Sequence, residues 1–146
     1  MNDNIETAAQ KFLSGYNCAQ AVLYSCTDDT VIDKSTALKI ASGFGAGMGR
    51  KQEVCGAVTG AIIAIGLKHG RGENGDPAAT EKTSVKTKEL MDKFQKKHGS
   101  CLCRELLAGC NLMTEEGQKY FRENDLKNKV CKECVQSAVQ IVEEIA

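Results

Sequence analysis

Hydrophobic residues recur at every third or fourth position along most of this chain, which is the period of an amphipathic helix. The C-terminal stretch shows the pattern most clearly, with Cys131, Cys134, Val135, Ala138, Val142 and Ile145 on one helical face. Alternation of apolar and polar residues, the pattern of a β-strand, is rare, and no hairpin dipeptide separates two such runs. We therefore predict an all-α protein: a single-domain bundle of about six or seven helices over residues 1–146.

Local signals place several helix boundaries. Asn17 and Gln20 stand three residues apart, the spacing of a capping box, and predict that the second helix begins at Cys18. The sequence Asp76-Pro77 predicts the start of a long polar helix, because proline is well tolerated at the first helical position. A fourth helix is expected to begin around residues 53–55 and to continue to Leu67.

Two glycines lie inside this fourth helix, Gly56 and Gly60. Each costs about 1 kcal/mol relative to alanine in a helix interior, so something must offset that cost. Close packing of another backbone explains Gly60 best, whereas Gly56 fits either packing or a site built against the backbone. The small residues of this helix also provide a face that could serve a homodimer.

Composition and charge exclude several classes of function. Lysine and arginine number 19, as do aspartate and glutamate, so the chain has no net field that would hold nucleic acid. The longest apolar run, residues 54–67, is shorter than the ~20 residues that a membrane helix needs. The first ten residues, MNDNIETAAQ, have neither the basic nor the apolar region of an export signal. We expect a cytoplasmic protein.

Eight cysteines are the main chemical feature of the sequence. In a reducing cytosol, cysteine enrichment indicates metal ligation or redox chemistry more than a disulfide framework. The alternative for each cysteine taken alone is a small apolar residue buried in the core.

The positions of four cysteines favour chemistry. Cys18, Cys55, Cys103 (or Cys101) and Cys131 are each predicted in the opening turn of a different helix. Free amides there favour the thiolate by up to about 2 kcal/mol, which would lower a thiol pKa from ~8.5 to about 7. Cys131 and Cys134 have the CxxC spacing, which suits two ligands of one metal or one disulfide, but the same spacing fits the apolar face of the last helix.

The glycine-rich segment at residues 43–49 does not match a dinucleotide-binding loop. Met48 and Arg50 occupy the third-glycine positions, and a predicted helix precedes the segment where that motif requires a strand. Two interpretations stay open: a backbone nest around an anion or a cluster, and a flexible connector.

Several segments together resemble a known family. Residues 15–22 read GYNCAQAV, residues 41–50 ASGFGAGMGR, and residues 55–60 CGAVTG, and they are followed by CRELL at 103–107 and by Cys131. These motifs resemble the family of redox-active proteins with the C_GCAxxG_C_C motif over nearly the whole chain. The resemblance implies a small bacterial or archaeal redox protein that holds a prosthetic group such as an iron–sulfur cluster.

Carried over, the four cysteines of the family pattern are Cys18, Cys55, Cys103 and Cys131. The chain has four more: Cys26, Cys101, Cys110 and Cys134. Cys101, Cys110 or Cys134 could therefore replace one of the four.

Three hypotheses for function follow. In the first, the four cysteines act as catalytic, cofactor-binding and metal-binding residues that hold an iron–sulfur cluster, zinc or another thiophilic metal for electron transfer. The second is a metal-free thiol/disulfide oxidoreductase, and the third a non-catalytic helical binding module with buried cysteines. The expected partner is a redox partner protein or a small thiol. We expect binding to neither nucleic acid nor a membrane.

Overall fold

The computed structural model describes residues 3–146. The α-helices in this range are α1 (Asp3–Leu13), α2 (Cys18–Cys26), α3 (Lys34–Ala41), α4 (Gly56–His69), α5 (Ala78–His98), α6 (Cys103–Leu106), α7 (Glu115–Glu123) and α8 (Lys132–Ile145). A 3₁₀ turn at Ser42–Phe44 follows α3, and a π-helical segment at Lys127–Cys131 leads into α8. The described residues contain no β-strand, so the all-α prediction is confirmed, with eight α-helices in place of six or seven.

Helices α2, α4 and α8 form the centre of the fold. α2 packs against α1, α3, α4 and α8, while α5 packs against α4 and α8. Their apolar faces meet in a core whose fully buried side chains include Val22, Val58, Leu90, Phe94 and Val139. Long α5 contributes Leu90 and Phe94 to this core and leaves most of its other residues at the surface. Nowhere in residues 3–146 is a helix both long and apolar enough to cross a bilayer.

The contact between α2 and α4 depends on the two glycines of α4. A Cβ atom on Gly60 would lie 2.6 Å from the carbonyl oxygen of Ala19, and one on Gly56 would lie 3.1 Å from the Cβ of Cys18. The packing interpretation of Gly60 is therefore confirmed, and Gly56 also serves a close approach. Because both helices begin at this contact, it brings the Cys18 and Cys55 segments side by side.

The start of α2 is fixed by the predicted capping box. Asn17 Oδ1 accepts a hydrogen bond from the Gln20 N–H at 2.9 Å, and Gln20 Oε1 accepts one from the Asn17 N–H at 3.0 Å. Asn17 Nδ2 also donates to the carbonyl of Ser42 at 3.0 Å, which ties this cap to the end of α3. Cys18 is thus held as the first residue of α2.

Candidate functional site

A cavity of about 430 Å³ lies where α1 and α2 meet the loop after α3, α6, α7 and the start of α8. Its lining contains five cysteines: Cys18, Cys55, Cys103, Cys131 and Cys134. All four cysteines singled out from the sequence are among them, although they come from four separate parts of the chain. The fifth, Cys134, is one that sequence reasoning left as an alternative.

The remaining cysteines lie outside this lining. Cys101 is buried, and its thiol donates to the carbonyl of Met91 at 3.5 Å. Cys110 is also buried, and its thiol donates to the carbonyl of Gly117 at 3.2 Å. Of the three candidates for the third cysteine, only Cys103 therefore reaches the cavity. The cysteines of residues 3–146 form no disulfide.

The segments before α4 and α6 place Cys55 and Cys103 next to each other. Val54 and Leu102 form one isolated antiparallel bridge. The Cys55 N–H donates to the Cys101 carbonyl at 2.8 Å, and the Cys103 N–H donates to the Glu53 carbonyl at 2.7 Å. Two residues of bridge geometry are too short to leave a strand pattern in the sequence, so this pairing was not predictable from periodicity.

Gln52 holds this pair of segments in place and is a residue that sequence reasoning missed. Its side chain is buried, with 3% of the residue exposed. Nε2 donates to the Cys110 carbonyl at 2.7 Å, and Oε1 accepts from the Leu112 N–H at 2.9 Å. A glutamine between charged neighbours gives no sign of such burial, because only the fold supplies its two backbone partners.

The π-helical segment positions Cys131. The Lys132 N–H donates to the carbonyl of Lys127, five residues earlier, as in a π-helix. Cys131 is the last residue of this segment and lies within a helical run that continues into α8. The prediction that Cys131 begins a helix is therefore wrong, since its amide does not belong to a free N-terminal turn.

The glycine-rich loop lies against the cavity through Ala46 and Gly47. The loop contains six residues in the left-handed region: Ala46, Gly47, Met48, Gly49, Arg50 and Gln52. Non-glycine residues cost of order 1–3 kcal/mol each in such a conformation, so surrounding contacts must hold it. Hydrogen bonds from Gln52 N–H to the Ala46 carbonyl (3.1 Å) and from Glu53 N–H to the Gly47 carbonyl (3.0 Å) do so.

The cavity thiols interact in two pairs. The Cys134 thiol, acting as a hydrogen-bond donor toward the Cys55 sulfur, lowers the pKa of Cys55. The backbone N–H groups of Ala57 and Val58 lower it further, while burial opposes them. In the second pair, a hydrogen bond to Cys131 raises the pKa of Cys18 well above its usual value, and burial adds to this shift.

The sequence predicted that a position in the first turn of a helix lowers the pKa of each of the four cysteines. The pKa directions in the structure do not support this for every one of them. Burial, together with negative charge on Cys55 and Cys131, raises the pKa of Cys103 to about 12. Cys18 is also the first residue of a helix, yet its pKa is raised. Desolvation and neighbouring sulfurs outweigh the helix dipole at both positions, and Cys55 is the cavity cysteine whose pKa is lowered.

The other lining residues are mostly apolar, together with three cations and the uncharged polar side chains of Tyr16, Asn17 and Gln118. The apolar side chains include Phe12, Leu106, Leu107, Phe121 and Val130. Among residues 3–146, the cationic ones are Arg50, Arg122 and Lys127, and no aspartate or glutamate belongs to the lining. The donor set is therefore sulfur, with no carboxylate oxygen, which suits thiophilic metals better than magnesium or calcium.

The thiols line the cavity but do not converge on a single point. Within residues 3–146, no three histidine, cysteine, aspartate or glutamate side chains are grouped closely enough to hold a single metal ion. The geometry is that of five sulfurs distributed around a shared space.

A protein-family model covers most of this chain. The model of a family described as "Putative redox-active protein (C_GCAxxG_C_C)" matches residues 16–145. No curated protein matches the chain, and no solved structure does.

Proposed function

This chain belongs to the C_GCAxxG_C_C family of redox-active proteins, and from that premise we propose that it is an electron-transfer protein. In this proposal Cys18, Cys55, Cys103 and Cys131 bind an iron–sulfur cluster or another thiophilic metal centre in the cavity. The supporting observation is that these four cysteines, from four separate segments, line one cavity.

The lining supplies suitable donor atoms for such a group, although in residues 3–146 no three of them are grouped closely enough to hold a single metal ion. Cysteine thiolates are the usual ligands of iron–sulfur clusters, and the lining has no carboxylate that would compete with them. A bound cluster would supply one-electron transfer. Leu106, Leu107 and Phe121 would limit the access of water, which is one of the factors that set a cluster potential.

The mutual repulsion of the cavity sulfurs also explains why they would bind a positively charged centre tightly. Negative charges on the cavity sulfurs repel one another, and this repulsion is part of what raises the pKa of Cys18 and Cys103. A metal centre would remove that repulsion by pairing each thiolate with positive charge. We therefore expect metal binding to release protons and to stabilise the fold.

We expect protein prepared without oxygen, in cells supplied with iron, to be coloured and to contain iron and acid-labile sulfide. A chelator should bleach the visible absorption and lower the melting temperature. Elemental analysis, the absorption spectrum and thermal unfolding of the same sample measure this. No visible absorption, neither iron nor zinc, and a melting temperature unchanged by chelator would together refute the metal proposal.

A second candidate is a thiol/disulfide oxidoreductase, favoured by the presence of Cys55 and Cys134 in one cavity lining and by the effect of Cys134 in lowering the pKa of Cys55. The Cys55 thiolate would attack a substrate disulfide, form a mixed disulfide and release one substrate thiolate. Cys134 would then lose its proton, attack the Cys55 sulfur and release the second thiolate. The substrate gains two electrons as the Cys55–Cys134 disulfide forms.

For this candidate we expect Cys55 to be alkylated with a half-maximal rate at a pH below that of an ordinary cysteine, because its pKa is lowered. Replacing Cys134 by alanine should move that pH upward, because the thiolate loses a donated hydrogen bond. Mass spectrometry of alkylated peptides measures both. Cys26, whose burial raises its pKa to about 12, is the internal control. An unchanged pH profile in Cys134→Ala would contradict the assignment.

A further inference from the structure

The charge of the cavity lining differs from that of the chain. Basic and acidic residues are equally numerous in the sequence. The lining nevertheless contains Arg50, Arg122 and Lys127 and no acidic residue. The excess of positive charge is therefore a local property of this cavity.

These three cations come from different parts of the fold. Arg50 lies in the glycine-rich loop, Arg122 lies in α7, and Lys127 begins the π-helical segment. Within residues 3–146 none of them forms an ion pair, whereas nearby Arg104 pairs with Glu53 and Lys119 with Glu123. The Lys127 ammonium lies 5.2 Å from the centre of the Phe12 ring, another lining residue. Three cations in the lining of one cavity, none of them paired with a carboxylate among the described residues, form a site suited to an anion.

The backbone beside Arg50 adds hydrogen-bond donors. In the described chain, the N–H groups of Ala46, Gly47 and Arg50 donate to no backbone carbonyl. Ala46 and Gly47 line the cavity, and Gly47 is buried. Backbone N–H groups without a carbonyl partner in a tight turn can form a concavity that binds an anion. This loop therefore offers neutral donors next to the three cations.

We propose that the cavity also binds a small organic anion, held through carboxylate or phosphate groups by Arg50, Arg122 and Lys127. A space of about 430 Å³ lies within the range of small-molecule sites, which is roughly 300–1,000 Å³. The anion would lie against Phe12 and Phe121 with its charged groups toward the cations. That this anion is the substrate or electron donor of the redox centre rests on the function proposed above, whereas its binding does not.

A different explanation is that the cations only offset the charge of the sulfurs. This explanation predicts that removing the cations reduces the amount of metal that the protein retains, and metal content measures it.

The test is calorimetric titration at low ionic strength with two probes, succinate for the carboxylate class and inorganic phosphate for the phosphate class. We expect saturable binding of one probe with a Kd of about 1 mM or below. Arg50→Gln and Arg122→Gln should each weaken it about fivefold to tenfold, as loss of a charge-assisted contact does. Lys129→Gln is the matched control, since Lys129 is exposed and outside the lining.

Iron content is measured on the same variants, so that the two proposals can fail separately. Probe binding that both arginine variants weaken supports the anion site, even in protein that holds no metal. Absence of binding by either probe refutes it, as does binding that Arg50→Gln and Arg122→Gln leave at the level of Lys129→Gln. If neither probe binds and the arginine variants lose iron, the cations serve the metal centre, and only the anion proposal fails.

Discussion

Replacing Cys103 by alanine is expected to lower the iron retained by the protein about tenfold or more. Cys103 lines the cavity and is one of four sulfurs proposed to share a metal centre. Loss of even an indirect partner of a metal ligand typically costs about 10- to 100-fold in affinity, and loss of a ligand costs at least as much. Iron per protein chain and the visible spectrum after anaerobic purification measure the effect.

Cys110→Ala is the matched control for this variant. Cys110 lies in the same region of the chain and is as buried as Cys103, at 9% against 8% exposure, but it does not line the cavity. The two variants should lose similar stability, whereas only Cys103→Ala should lose iron. A shared site also predicts that Cys55→Ala combined with Cys103→Ala loses little more iron than Cys103→Ala alone. Equal iron in both single variants would refute the assignment of Cys103.

Replacing Gly60 by alanine is expected to lower the free energy of unfolding by about 2 kcal/mol, because the added methyl overpacks the α2–α4 contact. Its Cβ would lie 2.6 Å from the carbonyl oxygen of Ala19 and 3.0 Å from the Ala19 Cα. These are backbone atoms of a buried helix, so relief requires the two helices to separate. The gain in helix propensity, about 1 kcal/mol, is smaller than the overpacking is expected to cost. Denaturant titration measures the change.

Gly66→Ala in the same helix is the control and should act in the opposite direction. A Cβ on Gly66 meets no atom within 4 Å. The substitution therefore brings only the propensity gain and should raise the free energy of unfolding by about 0.5–1 kcal/mol. If both substitutions raise the free energy of unfolding by similar amounts, α4 does not approach Ala19 as closely as the structure indicates.

Gly60→Ala also connects the fold to the site. The α2–α4 contact brings the first residue of α2, Cys18, beside the residue that precedes α4, Cys55. Separation of these helices is therefore expected to weaken metal retention as well as stability, whereas Gly66→Ala should leave it unchanged.

Much of the helical framework was predictable because its signals are local. The capping box of Asn17 and Gln20 acts within one turn, and the Thr114 side chain caps α7 in the same way, accepting from the Gly117 N–H at 2.9 Å. Asp76 accepts from the Ala78 N–H at 2.9 Å near the start of α5. Each of these capping interactions joins residues two or three positions apart, so its geometry follows from the order of residues alone.

The π-helical segment and the Val54–Leu102 bridge were missed for the opposite reason. The π-helical bond between Lys132 and Lys127 shifts the register of a helix whose hydrophobic period reads as continuous. The bridge joins residues far apart in the chain, through hydrogen bonds that any sequence can form. Neither leaves a pattern of residue types.

The sequence by itself determined the helical class, most helix starts, the close packing around Gly60 and the four cysteines of the family pattern. Only the tertiary structure decided that Cys103, rather than Cys101 or Cys110, reaches the cavity, that Cys134 joins it, and that Cys55 is the cavity thiol made more acidic. The physical reason is the range of the interactions. Helix periodicity and capping act over one or two turns, whereas a cavity, its charge and the pKa values within it depend on which distant segments meet there.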